Sequence, residues 1–275
     1  MSDAAERAVL AGTLYLVATP IGNLDDFSPR GQSVLRDVDV IAAEDTRHTG
    51  QLLTRFGISR PLVSYHDHNK DRRTPELIDR LRAGEAVAIV SDAGSPGISD
   101  PAFTLVRAAV EAGLPIVPVP GPSSALCALE VSGLPTDRFA FEGFLPRKSG
   151  RKRNRIEELR GDPRTLIFFE SPHRIRATLA DLLAGMGDRP ASVSRELTKK
   201  FEETERGPLS ALVAWAEKRT PRGEFVLVVG GSPKTKRGKV DDDADGLDTE
   251  TESESDSEDD PDPDRDSPDS REDDA

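Results

Sequence analysis

Short apolar runs alternate with helical patterns along the first half of the chain, and this alternation constrains the fold most. A helix start is predicted at Thr74 and Pro75, with Thr74 as the N-cap and Gly84 ending the helix. Strands that alternate with helices predict α/β layering, in which helices cover a sheet. The four apolar runs are residues 13–19, 38–43, 86–90 and 115–119.

The second half has a different pattern, because strand-like segments outnumber the helices between them. This pattern predicts a mixed sheet in a second α/β domain. The expected organisation is a flexible leader over 1–12, domains over 13–121 and 122–232, and a tail over 233–275. The strand-like segments are residues 139–144, 165–170, 191–197, 200–207 and 224–231.

Charge is distributed unevenly along the sequence. Residues 241–275 hold 19 acidic residues and 2 arginines, a net charge of −17, so residues 1–240 carry about +4 of the chain's −13. The tail has one leucine and no aromatic residue, and we expect it to be disordered. It either only solvates the protein or, through its phosphate-like charge density, competes with a polyanion for a basic cleft.

Cysteine usage and hydropathy exclude several classes of protein. The single cysteine, Cys127, excludes an internal disulfide and a cysteine-cluster metal site. No apolar stretch reaches the length of a membrane span, and the N-terminus lacks a secretory pattern. We therefore expect a metal-free protein of the cytoplasm.

Three glycine-rich turns follow apolar runs: ATPIGN at 18–23, SDAGSPGISDP at 91–101 and PVPGPSSAL at 118–126. In open α/β sheets, ligands bind beyond the carboxyl ends of the strands, where glycines admit close backbone approach. The three turns therefore predict one ligand site at one edge. Neither the dinucleotide nor the Walker fingerprint occurs, so the turns alone do not name the ligand.

Nine motifs in unbroken order, from about Thr13 to Gly231, resemble the ribosomal RNA small-subunit methyltransferase I family of the tetrapyrrole-methylase superfamily. The resemblance implies two α/β domains with S-adenosylmethionine in the cleft between them, usually in a homodimer. It also implies methylation of a cytidine ribose 2′-oxygen in the decoding region of 16S ribosomal RNA. The motifs are LYLVATPIGNLDDFSPR, AEDTRHTGQLL, SYHDHN, IVSDAGSPGISDP, PVPGPSSAL, FEGFLPRK, FFESPHRI, RELTKKFEE and GEFVLVV.

The same resemblance implies a set of cofactor contacts. From the first domain they are Pro20, Ile21, Asp92, Gly94, Ser95, Ser123 and Ser124. From the second domain they are Glu170, Ser171, Leu197, Glu224 and Phe225.

Methyl transfer to a hydroxyl requires a proton to leave, and a general base assists this. Glu44 or Asp45 is the preferred base, with Arg47 orienting a phosphate or carboxylate, because these residues follow the second strand at the expected edge. His66 is the second choice. The alternative for Glu44 or Asp45 is that it only caps the following helix.

A dense basic segment, PRKSGRKRNR at 146–155, follows the GFLP motif and predicts binding to RNA backbone phosphates. The resemblance implies that this RNA belongs to the small ribosomal subunit. We expect this segment to be a loop beside the cleft. Lys199, Lys200 and residues 233–239 add further positive charge. The candidate RNA-binding residues are Arg147, Lys148, Arg151, Lys152, Arg153 and Arg155.

Three other functions remain open from the sequence. One is a tetrapyrrole- or diphthine-type methylase on the same scaffold, which would not need the basic segment. Another is an RNA-binding assembly factor without catalysis, against which the intact turns argue. The third, an acidic chaperone, depends only on the tail.

Overall fold

The computed structural model of the chain describes residues 9–233, and its first five strands form a parallel sheet. The sheet order is β3-β2-β4-β1-β5. Because all strands are parallel, their carboxyl ends lie at one edge of the sheet. The strands are β1 (Leu14–Val17), β2 (Val40–Ala43), β3 (Leu62–Ser64), β4 (Val87–Val90) and β5 (Ile116–Val119).

Helices cover both faces of this sheet, which explains why its central strands are apolar throughout rather than alternating. On one face, Leu35 of the first helix and Leu53 of the second pack against Ile41. On the other, Leu77 and Leu105 of the next two helices pack against Leu14. These helices are α1 (Pro29–Asp37), α2 (Thr46–Arg55), α3 (Lys70–Arg82) and α4 (Ala102–Glu111), and a short 3-10 turn spans Leu24–Asp26.

The second half forms a separate mixed sheet, as predicted from the sequence. Its order is β6-β7-β10-β8-β9; β6 and β7 are parallel, and the other neighbours are antiparallel. The strands are β6 (Phe139–Phe144), β7 (Thr165–Glu170), β8 (Pro190–Arg195), β9 (Glu203–Pro208) and β10 (Phe225–Val229).

The chain passes from the first sheet to the second between β5 and the next helix, α5 (Ser124–Ser132). Ala128 and Leu129 of α5 pack against one face of the second sheet, and Ile21 from the first turn joins the same apolar cluster. The other face is covered by α6 (Ser149–Leu159), α7 (Ile175–Met186) and α8 (Leu209–Glu217). None of the helices within residues 9–233 is long and apolar enough to cross a bilayer.

The start of one helix differs from the sequence prediction. Helix α3 begins at Lys70, so Thr74 lies inside it and is not its N-cap. The Thr74 hydroxyl instead pairs with the Tyr65 hydroxyl at 2.8 Å, a contact between side chains that local sequence does not reveal. The predicted leader over 1–12 and the predicted tail over 233–275 lie outside the described residues, except for 9–12 and 233.

Candidate functional site

The three glycine-rich turns meet at the carboxyl edge of the first sheet, as predicted. Thr19 and Gly94 exchange two backbone hydrogen bonds of 2.9 and 3.1 Å, which tie the first turn to the second. The Thr19 hydroxyl also donates to the Ser91 carbonyl at 3.1 Å. The third turn approaches the first so closely that a Cβ on Gly121 would lie 2.8 Å from the Ala18 Cβ. These contacts explain why small residues are needed at the edge.

A cavity of about 350 Å³, the donor cavity, opens between this edge and the second sheet. Its wall includes five carboxylates and no lysine, arginine or histidine of the described residues. Such a wall favours a cationic ligand. The lining residues are Ile21, Glu44, Ser91, Asp92, Ala93, Ile98, Ser99, Asp100, Ser124, Phe144, Phe169, Glu170, Ser171, Pro172, Ser194, Leu197, Gly223, Glu224, Phe225 and Val226.

Two of the carboxylates titrate abnormally because of this environment. Burial raises the pKa of Glu44, and the neighbouring carboxylates of Asp92, Asp100 and Asp67 raise it further. Burial also raises the pKa of Asp100, against the opposing effect of two backbone hydrogen bonds. Burial is the larger cause of both raised pKa values, and the neighbouring negative charges add to it.

Asp100 is the clearest sign of a ligand. Its Oδ1 accepts hydrogen bonds from the N–H groups of Gly97 and Ala102 at 2.7 and 2.8 Å. Its Oδ2 is buried without a hydrogen-bond partner among residues 9–233. A buried oxygen without a partner costs free energy, which a donor group on a bound ligand would recover.

Glu170 also lines the donor cavity, but its hydrogen-bonding capacity is used within the protein. Its carboxylate accepts from the Ser171 N–H at 2.8 Å and from the Thr178 hydroxyl at 2.6 Å, and it lies 3.5 Å from Arg174. Glu170 therefore shapes the wall and fixes the start of α7.

A second cavity, of about 610 Å³, adjoins the first; we call it the acceptor cavity. The two share Ile21, Asp92, Ala93 and Glu224 as lining residues. Unlike the donor cavity, it includes basic side chains. Its remaining lining residues are Pro20, Gly22, Leu24, Asp45, His48, Gln51, Leu52, Arg55 and Lys199.

Most of the predicted cofactor residues lie at the two cavities. Those in the donor cavity are Ile21, Asp92, Ser124, Glu170, Ser171, Leu197, Glu224 and Phe225, and Pro20 lines the acceptor cavity. Gly94, Ser95 and Ser123 are not among the lining residues of either. Gly94 instead pairs with Thr19, and Ser123 precedes α5.

Several lining residues were missed from the sequence. Asp100 was not among the predicted cofactor contacts, although its place in SDAGSPGISDP could have marked it. Phe144 and Phe169 come from β6 and β7, and their edge-to-face packing, with ring centroids 5.6 Å apart, is a tertiary contact. Ser99 has a φ of +65°, a left-handed conformation that no sequence pattern predicted.

The candidate bases occupy different environments. Asp45 is the N-cap of α2, and its Oδ1 accepts from the N–H groups of Arg47 and His48 at 2.8 and 3.3 Å. These bonds lower the pKa of Asp45.

The Arg47 side chain is 90% exposed and lines neither cavity. His66 also lies outside both linings, and its ring contacts the Asn69 amide at 3.2 Å. Of the predicted catalytic residues Glu44, Asp45, Arg47 and His66, only Glu44 lines the donor cavity.

The prediction that the basic segment is a loop was wrong over much of its length, because α6 begins at Ser149. The helix turns Lys152 onto its buried face with Ile156, and the Lys152 ammonium forms an ion pair with Asp181. Lys152 is therefore not free to bind phosphate. Arg155 is paired with Glu142 and Glu158, at 2.6 and 2.7 Å.

The other four basic residues remain exposed at the start of α6: Arg147, Lys148, Arg151 and Arg153. They follow Phe144 of the donor cavity by only a few positions. Lys199 lies at the acceptor cavity, whereas residues 234–239 of the second basic segment are outside the described residues. Within residues 9–233, no cluster of three or more histidine, cysteine, aspartate or glutamate side chains is arranged to hold a metal.

Comparisons with known proteins agree on one family. The model of the Tetrapyrrole (Corrin/Porphyrin) Methylases matches residues 13–213. The ribosomal RNA small subunit methyltransferase I of Synechocystis sp. is 51% identical over 227 residues, covering 82% of this chain and 81% of that protein. The enzyme of the same name from Xylella fastidiosa is 53% identical over 232 residues, covering 83% and 85%.

A solved structure shares the fold at lower identity. The uroporphyrin-III C-methyl transferase from Thermus thermophilus, complexed with S-adenyl homocysteine, superposes with a TM-score of 0.55 at 21% identity, covering 79% of this chain and 97% of that one. Because about half of the aligned residues are identical to those of these relatives, and the tetrapyrrole-methylase model matches residues 13–213, the chain belongs to the ribosomal RNA small subunit methyltransferase I family.

Proposed function

We propose that the protein transfers a methyl group from S-adenosylmethionine to the ribose 2′-oxygen of a cytidine in the decoding region of 16S ribosomal RNA. The observation that carries this proposal is the pairing of an acidic cavity with an adjoining cavity that includes basic side chains. The acidic cavity suits a cationic methyl donor. The basic side chains of its neighbour, together with the exposed cations at the start of α6, suit a polyanionic acceptor. The names of the curated relatives supply the reaction class.

The donor cavity fits the cofactor in charge and shape. S-adenosylmethionine supplies an activated methyl group on a sulfonium, so the protein's task is to hold and align the reactants. Asp92 and Asp100 offer carboxylates to its positive groups, and Asp100 has an oxygen still available, whereas Glu224 lines the cavity while paired with Lys199. Phe144 and Phe169 offer apolar surface to a planar ring.

Glu44 is the general base in this proposal. It follows β2 beside Asp92, one of the four residues shared by the two cavities, and Asp92 Oδ1 accepts the N–H of Asp45 at 3.1 Å. The raised pKa of Glu44 brings it closer to the operating pH, where a general base is most effective. Asp45 and Arg47 then fix the start of α2 rather than moving the proton.

The exposed basic residues at the start of α6 bind the RNA backbone in this proposal. Arg147, Lys148, Arg151 and Arg153 form no ion pair within residues 9–233, so each can neutralise a phosphate. Arg155 lies on the same helix and stays paired with Glu142 and Glu158, so its part in the proposal is to support the exposed cations rather than to bind phosphate itself. We expect the small ribosomal subunit to be the partner, and the protein therefore to be located in the cytoplasm. We also expect the protein to form a homodimer.

We also propose that residues 13–121 and 122–232 form two domains and that the cofactor is held between their sheets. Such an arrangement requires both halves for binding. The acidic segment over 241–275 either only solvates the protein or competes with RNA.

The experiment is a methylation assay with radiolabelled S-adenosylmethionine and small ribosomal subunits that lack the modification. Label in a ribose of 16S RNA supports the proposal, and its position identifies the nucleotide. A precorrin substrate in a parallel reaction tests the tetrapyrrole-type alternative. Cofactor binding without label in RNA, or label in precorrin, would overturn the proposed substrate.

A further inference from the structure

One face of α2 forms a continuous wall of the acceptor cavity. His48, Leu52 and Arg55 are spaced by four and three residues, and Gln51 lies beside them, so their side chains lie on the same side of the helix. Arg47 is one position from His48, about 100° around the helix, and points elsewhere. The face therefore combines an apolar centre with polar groups along its length.

Arg55 is the unpaired cation of this wall. Within residues 9–233, its guanidinium has neither an ion pair nor a hydrogen bond. Lys199, which also lines this cavity, is neutralised by Glu196 and Glu224, each with an oxygen 3.0 Å from its ammonium nitrogen. This exposed guanidinium, which lines a cavity of about 610 Å³, is free to bind an anionic ligand group, because arginine binds phosphate through paired donors.

The position of Arg55 along α2 distinguishes two sources of that anion. The N-terminal end of α2 lies at the junction of the two cavities, where the Asp45 N–H bonds to Asp92. Arg55 is ten residues further, about 15 Å along the helix axis at 1.5 Å per residue. This distance places it away from the donor cavity and on the path of a polymer that extends from the junction.

We infer that Arg55 binds a backbone phosphate of the RNA beside the target nucleotide and so positions the strand in the acceptor cavity. This inference rests on the proposed function, because it requires an RNA acceptor. Arg55 is a positioning residue here and does not contact the reacting atoms. Phosphate contacts of this kind fix the register of a nucleic acid without reading its sequence.

The test compares Arg55→Ala and Arg55→Lys with a matched arginine control, Arg107→Ala. Arg107 is exposed on α4, where it pairs with Glu111 at 2.9 Å, and it lines neither cavity. For Arg55→Ala we expect a KM for small subunits that is about tenfold higher, an unchanged kcat, and an unchanged calorimetric affinity for S-adenosylmethionine. The slope of log affinity for the subunit against log salt falls by about one, as for one lost phosphate contact.

Arg55→Lys retains the charge, so its salt slope should match that of the unsubstituted protein and of Arg107→Ala. An unchanged KM and slope in Arg55→Ala would overturn the inference. Weaker binding of S-adenosylmethionine would also overturn it, because Arg55 would then hold the donor's carboxylate. If the unsubstituted protein bound the subunit but left its RNA unmethylated, the proposed function would be wrong. The salt dependence of subunit binding by Arg55→Ala would still test the contact between Arg55 and a phosphate.

Discussion

The backbone N–H of Asn23 donates a 3.0 Å hydrogen bond to the hydroxyl of Thr198, which lies 175 positions away in the sequence. This bond joins the turn after β1 to the loop after β8. Thr198 and Glu196 both have left-handed backbones, with φ of +66° and +50°, which is unfavourable for residues other than glycine. Leu197, between them, lines the donor cavity, so the loop holds a cavity wall in an unfavourable conformation.

The first prediction concerns Gly22, because this loop approaches its Cα so closely. A Cβ at this position would overlap the Lys199 side chain and lie 2.9 Å from the Thr198 hydroxyl. We expect Gly22→Ala to push the loop outward, lowering the free energy of unfolding by about 1 to 3 kcal/mol, as overpacking does. Affinity for S-adenosylmethionine, measured by calorimetry, should fall more than tenfold.

Gly161→Ala is the matched control, since a Cβ at Gly161 would meet no atom within 4 Å. Its unfolding temperature and cofactor affinity should equal those of the unsubstituted protein. Equal affinity in Gly22→Ala would show that the close contact between turn and loop is not needed for binding.

The second prediction separates catalysis from stability at Glu44. We expect Glu44→Gln to lower kcat by about 10²- to 10⁴-fold, the usual contribution of a general base. The free energy of unfolding should rise at neutral pH, because the charged form of Glu44 is disfavoured in the fold. Single-turnover methylation and thermal unfolding measure the two effects.

The pH dependence of this stability gain follows from the raised pKa of Glu44. The folded protein holds this proton more tightly than the unfolded chain, so ionisation costs stability as pH rises from the ordinary glutamate pKa through the raised one. The gain should therefore vanish at pH values below the ordinary pKa. Asp45→Asn preserves the cap of α2 and should lose much less activity; the reverse ranking would make Asp45 the base.

The edge of the first sheet was predictable from the sequence because its signals are local. Three of the four apolar runs are followed directly by a glycine-rich turn, and each run with its turn spans at most 16 residues. Parallel strands bring their carboxyl ends to one edge, so the meeting of Thr19, Gly94 and Gly121 followed from topology.

The rest of the site depends on contacts that no local pattern encodes. Phe169 reaches the donor cavity because β7 lies next to β6 in a sheet of mixed direction. Lys152 looks like its exposed neighbours in the sequence, and only the helical period and the presence of Asp181 on α7 bury it. Thr74 was misassigned for a similar reason, since Tyr65 competes for its hydroxyl.

The third prediction concerns the carboxylate with an available oxygen. We expect Asp100→Asn to weaken S-adenosylmethionine binding by about tenfold at neutral pH, or about 1.4 kcal/mol, because one attractive charge is lost. As pH falls toward the raised pKa of Asp100, the unsubstituted protein should lose affinity, and the variant should show a smaller loss. Calorimetry over a pH series measures both.

Asp100→Asn should also raise the unfolding temperature at neutral pH, since burial disfavours the charged form. This result separates weaker binding from poorer folding. Equal cofactor affinity in the two proteins across the pH series would remove Asp100 from the donor site.

The fourth prediction distinguishes structural from RNA-binding cations on α6. Lys152→Ala leaves Asp181 without its partner at a half-buried position, so we expect a loss of about 1 to 3 kcal/mol in the free energy of unfolding. Arg151→Ala, one residue earlier and exposed, should leave the unfolding temperature unchanged. The two variants should differ in the opposite way in RNA binding. Arg151→Ala should reduce the slope of log affinity for the subunit against log salt by about one, and Lys152→Ala should leave it unchanged. A reduced slope for folded Lys152→Ala would mean that the Asp181 pair opens when RNA binds.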